Sequence, residues 1–152
     1  MQYTVHIDID RPRDEVIAKM DDADNLVKWQ EGLQSFTLIE GEAGQKGAKS
    51  ELVFLMGKRE MKMVETIIER DFPERFDATY DAKNVHNIVR NRFLETGPNT
   101  TRWESENVFE FKGVMKLMGV LAKGAFPKQS LKYMQDFKAF VEDGTDVRDR
   151  KK

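Results

Sequence analysis

Apolar and polar side chains alternate almost without interruption through the middle of the chain, from residue 33 to residue 111. Because successive side chains of a β-strand point to opposite faces, a period of two indicates strands that are buried on one face and wet on the other. Turn-forming residues interrupt the alternation at 41–47, 57–58, 72–73, 83–84 and 97–99, which predicts six strands. Since short turns join antiparallel neighbours, the segment is predicted to fold as an antiparallel meander.

The spacing of the predicted turns also determines which side chains face each other across neighbouring strands. Counting back from the turn at 97–99 places Arg92 opposite Glu104 and Arg90 opposite Glu106, and these pairs of opposite charge support the register. The same counting for the earlier turns predicts the following pairs: Tyr80 with Asn87, Phe76 with Asn91, Glu65 with Tyr80, Asp71 with Glu74, Leu52 with Met63, and Phe54 with Met61.

One face of the predicted meander is therefore apolar, whereas the opposite face is largely charged. The apolar face collects Leu52, Phe54, Met61, Met63, Ile67, Phe76, Ala78, Tyr80, Val89, Phe93, Trp103, Phe109 and Phe111. Such a face needs a covering layer, because a soluble domain rarely exposes an apolar surface of this size.

The C-terminal segment, about residues 114–142, is the only long helix candidate and is predicted to cover the apolar face. Its first half is apolar on nearly every side, which indicates contact with a sheet that curls around it. Gly119, Gly124 and Pro127 predict a kink near residues 123–127, because proline removes a helical hydrogen bond. Before the meander, a strand at residues 3–9 and two short helices are predicted, with Pro12 early in the first helix.

Composition limits the number of domains and the classes of chemistry. A length of 152 residues suits a single domain, predicted at residues 1–142, and the charged residues 143–152 are expected to form a disordered tail. The formal net charge of −2 gives no overall field for nucleic acid, and the lack of cysteine excludes disulfides and thiol catalysis. His6 and His86 lack metal-ligand spacing, so we expect neither a metal nor a cofactor. We recognise no secretion signal and no apolar membrane span, which favours the cytoplasm.

Two segments carry a family resemblance, IDIDRPRDEVIAKMDDADNLVKWQEGLQSF at the front and FKGVMKLMGVLAKGAFPKQSLKYMQDFKAFVE at the back. With the order of the elements between them, they resemble the START-like or SRPBCC superfamily, which includes the polyketide cyclase/dehydrase family and the birch-pollen-allergen fold. The resemblance implies an α+β helix-grip fold, in which a seven-stranded curved antiparallel sheet wraps around the long C-terminal helix and two short helices follow strand 1. It also implies an apolar cavity between sheet and helix. The superfamily includes binding proteins, lipid carriers, cyclases and chaperone-associated domains, so the fold alone does not determine the function.

Polar side chains on the apolar face are candidates for ligand contacts. A buried carboxylate or amide must be hydrogen-bonded, so these groups either satisfy one another or are completed by water or a ligand. Pockets for small molecules combine apolar walls with a few polar groups of this kind. The predicted ligand-binding residues are Trp29, Phe54, Met63, Glu65, Tyr80, Asn87, Asn91, Trp103, Ser105, Asn107, Met118, Leu121 and Phe126.

The sequence therefore favours the binding or carriage of an apolar or amphipathic small molecule in that cavity. A second hypothesis is an enzyme of the cyclase, dehydratase or hydrolase type, with Glu65 as acid or base. A third is a protein-interaction domain of the chaperone-associated kind, with a collapsed cavity. The lysines of the C-terminal helix indicate a solvated outer face and allow at most transient contact with an anionic membrane: they are Lys112, Lys116, Lys123, Lys128, Lys132 and Lys138. The ligand and the oligomeric state do not follow from the sequence.

Overall fold

The fold is built on a seven-stranded sheet with the strand order β1-β7-β6-β5-β4-β3-β2, in which every pair of neighbours is antiparallel. The structure is a computed structural model, and it describes residues 1–151. The strands are β1 (Gln2–Ile9), β2 (Leu33–Glu40), β3 (Lys49–Met56), β4 (Arg59–Asp71), β5 (Arg75–Ala82), β6 (Val85–Gly97) and β7 (Thr100–Phe111). The helices are α1 (Arg13–Met20), α2 (Leu26–Trp29), α3 (Met115–Leu121) and α4 (Ala125–Asp143), with short 3₁₀ turns at Ala23–Asn25 and Val147–Lys151.

The predicted α+β architecture is confirmed. Strands β2 to β7 form the meander, each pairing with the next along the chain, and the two short helices follow β1. The first strand does not pair with the second. It lies at the edge of the sheet opposite to β2 and pairs with β7, with Val5 opposite Ser105.

The predicted register is confirmed for the central hairpins. Arg90 faces Glu106 and Arg92 faces Glu104, and their guanidinium groups donate to these carboxylates at 2.6 Å and 3.2 Å. The predicted pairs on the other face are also present: Glu65 with Tyr80, Tyr80 with Asn87, Phe76 with Asn91, Leu52 with Met63, and Phe54 with Met61.

One predicted pair is wrong, because β4 contains an irregularity. The register shifts between Ile67 and Glu69, so that Asp71 pairs with Arg75 instead of Glu74. A β-bulge places an extra residue on one strand, and here Ile68 is left exposed on the outer face. Counting residue pairs back from a predicted turn assumes that neither strand contains a bulge, so it cannot detect such an inserted residue.

The main core lies between helix α4 and the part of the sheet formed by β1, β6 and β7. Phe137 of α4 is fully buried, and its ring packs edge-on against Trp29 and Trp103, with centroid distances of 5.0 Å and 5.2 Å. Edge-to-face aromatic pairs of this kind contribute about 0.5–1.5 kcal/mol beyond the burial of their surface. Trp29 thus links α2 to both the sheet and α4.

The C-terminal helical segment differs from the prediction in two ways. It is not one kinked helix, because residues 122–124 separate α3 from α4. Pro127 lies in the first turn of α4, where its missing N–H costs no helical hydrogen bond. In addition, the apolar first half is not enclosed by the sheet, since Val114 and Val120 are 78% and 73% exposed.

The segment after α4 also differs from the disordered tail that we expected. Val147, the only large apolar side chain in this charged run, is 2% exposed. Arg150 forms an ion pair of 2.8 Å with Asp136, a buried residue of α4. One apolar anchor and one ion pair therefore hold residues 144–151 against the domain, whereas Lys152 lies outside the described residues.

Candidate functional site

A cavity of about 650 Å³ lies between the sheet and the two N-terminal helices, and we call it the cleft. Eight residues between positions 18 and 30, in the α1–α2 region, contribute its helical side, and residues 43–45 from the β2–β3 loop contribute to its rim. Its volume falls in the range of pockets that hold small molecules. The residues on its sheet side are Phe36, Ser50, Leu52, Glu65, Ile67, Arg70, Phe76, Tyr80 and Asn91.

Glu65 is a buried carboxyl group in this largely apolar cleft. It lies in the middle of β4, directly between Ser50 on β3 and Tyr80 on β5. The Tyr80 hydroxyl donates a hydrogen bond of 2.8 Å to Glu65 Oε2. Within residues 1–151, Glu65 Oε1 has no hydrogen-bond partner. One oxygen of the carboxyl group is therefore satisfied by the protein, and the other remains able to accept a hydrogen bond.

The surroundings shift the proton affinities of both groups upward. Burial raises the pKa of Glu65, because a charged carboxylate loses its hydration there, and the hydrogen bond from Tyr80 opposes part of that rise. Burial and the adjacent Glu65 raise the pKa of Tyr80 well above its ordinary value. The tyrosine therefore remains a protonated donor, and Glu65 takes up a proton more readily than an exposed glutamate.

Two asparagines of this sheet face, Asn91 and Asn107, are hydrogen-bonded within the protein. Asn91 donates to the Phe76 carbonyl at 3.1 Å and accepts from Trp103 Nε1 at 2.9 Å. Asn107 donates to the Ser105 hydroxyl at 3.1 Å. These groups hold the strands in register and require no ligand to complete them.

Trp29 is a further polar group on the wall of the cleft. Its side chain is 4% exposed, and within the described part of the chain its buried Nε1 has no hydrogen-bond acceptor. An unsatisfied buried donor costs about 1–3 kcal/mol. The indole therefore has a hydrogen-bond donor that the described part of the chain leaves unused.

An ion pair bridges the rim of the cleft. Both guanidinium nitrogens of Arg70 donate to the carboxylate of Asp21, at 2.5 Å and 2.6 Å, and Arg70 Nη1 also donates to the Gly44 carbonyl at 3.1 Å. Arg70 comes from β4, Asp21 directly follows α1, and Gly44 belongs to the β2–β3 loop. One side chain thus ties the sheet, the first helix and the loop together beside the opening.

Comparison with solved structures finds this arrangement of strands and helices in other proteins. A conserved protein from Geobacillus kaustophilus superimposes with a TM-score of 0.78 at 14% identity, over 95% of this chain and 97% of that chain. The chain has the helix-grip fold.

Two helix-grip proteins among the structural neighbours are named after reactions. The Zhui aromatase/cyclase from Streptomyces sp. R1128 has a TM-score of 0.73 at 10% identity, with 93% of each chain covered. A norcoclaurine synthase point mutant from Thalictrum flavum, in complex with a transition-state analogue, has a TM-score of 0.70 at 14% identity, over 93% of this chain and 94% of that chain. No family model and no curated protein sequence matches this chain. At such low identity the likeness shows the fold alone.

The cleft of this helix-grip domain includes four of the predicted ligand-binding residues: Trp29, Glu65, Tyr80 and Asn91. The others lie elsewhere. Phe54 and Met63 do not line the cleft but pack in an apolar cluster next to it, which shares Leu52 with the cleft wall. Phe126 packs on Phe109 and Phe111. Four more lie on β6 and β7 away from the cleft lining: Asn87, Trp103, Ser105 and Asn107.

The side chains of Met118 and Leu121 are exposed to solvent and do not line the cleft. They are 49% and 72% exposed on α3, which does not contribute to the cleft. Their prediction rested on the assumption that the whole C-terminal helix faces the sheet, and α3 does not.

Several residues of the cleft were not predicted from the sequence. Ser50 and Phe76 could have been found, because they lie opposite Glu65 and Asn91 in the predicted register. Phe36 and Arg70 could not, since β2 joins the sheet through an irregular ladder and Arg70 follows the bulge in β4. The helix and loop residues of the rim have no periodic signal at all.

Two further observations concern metal binding and membrane spans. Among the described residues, no group of three or more His, Asp or Glu side chains is arranged to hold a metal ion. None of the described helices is long and apolar enough to cross a membrane.

Proposed function

We propose that this helix-grip domain binds an apolar or amphipathic small molecule in the cleft, with the Glu65–Tyr80 pair as its polar anchor. The observation that carries the proposal is the free Oε1 of a carboxyl group that is 9% exposed in a cavity with apolar walls and a few other polar side chains. A ligand that donates a hydrogen bond to Oε1 would satisfy the carboxyl oxygen that the protein itself leaves without a partner.

The chemistry of the anchor limits the ligand. Glu65 Oε1 accepts hydrogen bonds, so a hydroxyl or amine on the ligand is favoured. A ligand carboxylate is disfavoured, because it would be brought close to a second acid in a poorly solvated site. Phe36, Leu52, Ile67 and Phe76 supply the apolar walls. The favoured ligand is thus an apolar body with one neutral or basic donor group.

Binding by fluorescent alkyl probes tests this proposal. Three probes share one alkyl body and end in a hydroxyl, an amine or a methyl ether. We expect Glu65→Gln to weaken binding of the hydroxyl and amine probes about tenfold, since a hydrogen bond to a charged group contributes about 1.5–3 kcal/mol. The ether probe, which cannot donate, should bind both proteins equally.

Glu60→Gln provides the matched control, because Glu60 is exposed on the same strand and does not line the cleft. This variant should bind all three probes like the original protein. If no probe binds, or if the Glu65→Gln and Glu60→Gln variants bind the donor probes equally, the anchor is refuted.

Catalysis is the second candidate function, and the raised pKa of Glu65 is the observation that favours it. A carboxyl group with elevated pKa beside a protonated tyrosine is suited to proton transfer, as a cyclase, dehydratase or hydrolase would require. Two structural neighbours are named as a cyclase and a synthase, which gives this candidate further support. Native mass spectrometry of protein from its own host would identify a bound compound, and turnover of that compound lost in Glu65→Gln would favour the enzyme.

The protein-interaction hypothesis depended on a collapsed cavity, and a cavity of about 650 Å³ gives it no support. The proposed location is the cytoplasm, which fractionation of host cells would test.

A further inference from the structure

Helix α3 exposes an unusual amount of apolar surface. Five of the ten large apolar side chains that are exposed among the described residues come from this short segment: Val114, Leu117, Met118, Val120 and Leu121, with exposed fractions between 49% and 78%. Scattered exposed apolar residues are normal, but a contiguous group on one helix marks an interaction surface.

The way in which α3 packs against the sheet explains why its large side chains face outward. Gly119 is the buried residue of the helix and lies on the Phe111 ring, where an added Cβ would come within 2.6 Å of the ring carbons. The helix therefore uses its smallest residue to contact the domain. This is the reverse of an ordinary amphipathic surface helix, which buries its bulky apolar face.

The stretch of sequence that contains α3 carries only positive charge. Residues 111–135 contain five lysines and no acidic residue. The whole chain has 25 lysines and arginines against 27 aspartates and glutamates, so the rest of the chain carries 20 against 27, a formal charge of −7. Lys132 pairs with Glu31 and Asp136, but among the described residues no acidic side chain pairs with the other four: Lys112, Lys116, Lys123 and Lys128.

We propose that α3 and these four lysines form a docking surface for an anionic lipid bilayer. The apolar side chains would enter the boundary between headgroups and acyl chains, while the lysines extend their ammonium groups to the lipid phosphates and carboxylates. Lysines near such a surface are attracted by its negative potential. The acidic remainder of the chain would be repelled, which orients the molecule with α3 toward the bilayer.

Charge favours a bilayer over a second copy of this chain. A symmetric dimer through α3 would bring two groups of unpaired lysines together, and like charges that face each other oppose association. An anionic bilayer neutralises the lysines and covers the apolar side chains at the same time. No residue of α3 lines the cleft, so the docking surface does not depend on the proposed ligand.

Vesicle flotation with the full chain tests the docking surface. We expect the protein to float with vesicles of phosphatidylcholine and phosphatidylserine, to remain unbound with phosphatidylcholine alone, and to be released as salt is raised. Two double variants separate the apolar from the electrostatic contribution to vesicle binding. Leu117→Gln with Val120→Gln removes apolar side chains, and Lys116→Glu with Lys123→Glu reverses two positive charges. Each should lower the apparent vesicle affinity at least about tenfold.

A matched control uses two exposed apolar residues at the other side of the molecule. Leu38→Gln with Ile39→Gln removes comparable apolar surface from β2 and should leave vesicle binding unchanged. All of these side chains are exposed, so the variants are expected to fold, which circular dichroism would check. The proposal is overturned if anionic vesicles do not bind, or if the control variant weakens binding as much as the α3 variants. It is equally overturned if the chain forms a dimer that Leu117→Gln with Val120→Gln dissociates while vesicles remain unbound.

Discussion

At the scale of single residues, the cleft is governed by a carboxyl group with only one of its oxygens satisfied. Tyr80 is held opposite Glu65 by the β4–β5 ladder, and its hydroxyl can reach Oε2 without any movement of the backbone. The same ladder places Ser50 on the other side of Glu65. Both neighbours follow from the register of two hairpins, and for that reason this part of the site could be predicted from the alternation alone.

The raised pKa of Glu65 predicts how stability depends on pH. A carboxyl group whose pKa is higher in the folded protein binds its proton more tightly in that state, so the free energy of unfolding falls as pH rises from the unfolded pKa through the folded pKa. We expect Glu65→Gln to remove this loss, and urea titrations across the acidic to neutral range would measure it. Tyr80→Phe should extend the loss to higher pH, because it removes the hydrogen bond that lowers the pKa. Identical pH profiles for Glu65→Gln and Glu60→Gln would contradict the assignment.

At the scale of elements, the C-terminal helices show where sequence patterns stop being informative. The C-terminal segment was predicted to cover the apolar face of the sheet, and its second half, α4, does so with Met134 and Phe137 in the core. The wider apolar surface of α3 predicted burial as well, and that was wrong. A period identifies which side chains share a face, but it does not reveal whether a partner lies opposite that face. Gly119 was the sequence signal for this arrangement, because a glycine on the inner face lets a helix pack directly against an aromatic ring.

Two glycines near the ends of α4 predict opposite effects on stability. Gly144 ends the helix with φ of 70°, and its N–H bonds to the Phe140 carbonyl, so Gly144→Ala should lower the free energy of unfolding by about 1 kcal/mol. Gly124 has φ of −75°, and an added Cβ there would meet no atom within 4 Å, so Gly124→Ala should be neutral or stabilising by about 0.5 kcal/mol. Denaturant titration measures both, and a loss in Gly124→Ala would show that the junction between α3 and α4 needs a glycine.

At the scale of the whole molecule, the cleft lies between two layers that are joined at its rim by Arg70. The sheet contributes the anchor and most of the apolar wall, whereas the α1–α2 region and the β2–β3 loop contribute the opening. Hairpin register could be counted from the sequence, but the contact from β4 to Asp21 and Gly44 joins elements with no fixed spacing between them. This is why the floor of the cleft could be predicted in part and its rim could not.

If the Arg70 contacts at the rim of the cleft are broken, we expect a bound probe to exchange faster. Arg70→Gln removes the paired hydrogen bonds to Asp21, so the association and dissociation rates of the hydroxyl probe should both rise, with a smaller change in its affinity. Stopped-flow fluorescence measures these rates. Arg92→Gln breaks a comparable exposed ion pair on the outer face of the sheet and should leave the rates unchanged. Equal rates in the Arg70→Gln variant and the original protein would show that the rim does not limit entry.

The pairing of β1 with β7 has a consequence for how this protein is made. During synthesis, residues 2–9 leave the ribosome before residues 100–111, which are their strand partner within residues 1–151. At a translation rate of about 5–20 residues per second, the first strand waits on the order of 5–20 seconds before that partner exists. The β2–β7 hairpins can form in order while it waits, and helix α4, which packs on β1, comes later still. Strand β1 is translated before the rest of the sheet and is therefore among the last strands to pair. A nascent chain stalled before residue 100 would expose it as an open edge to chaperones.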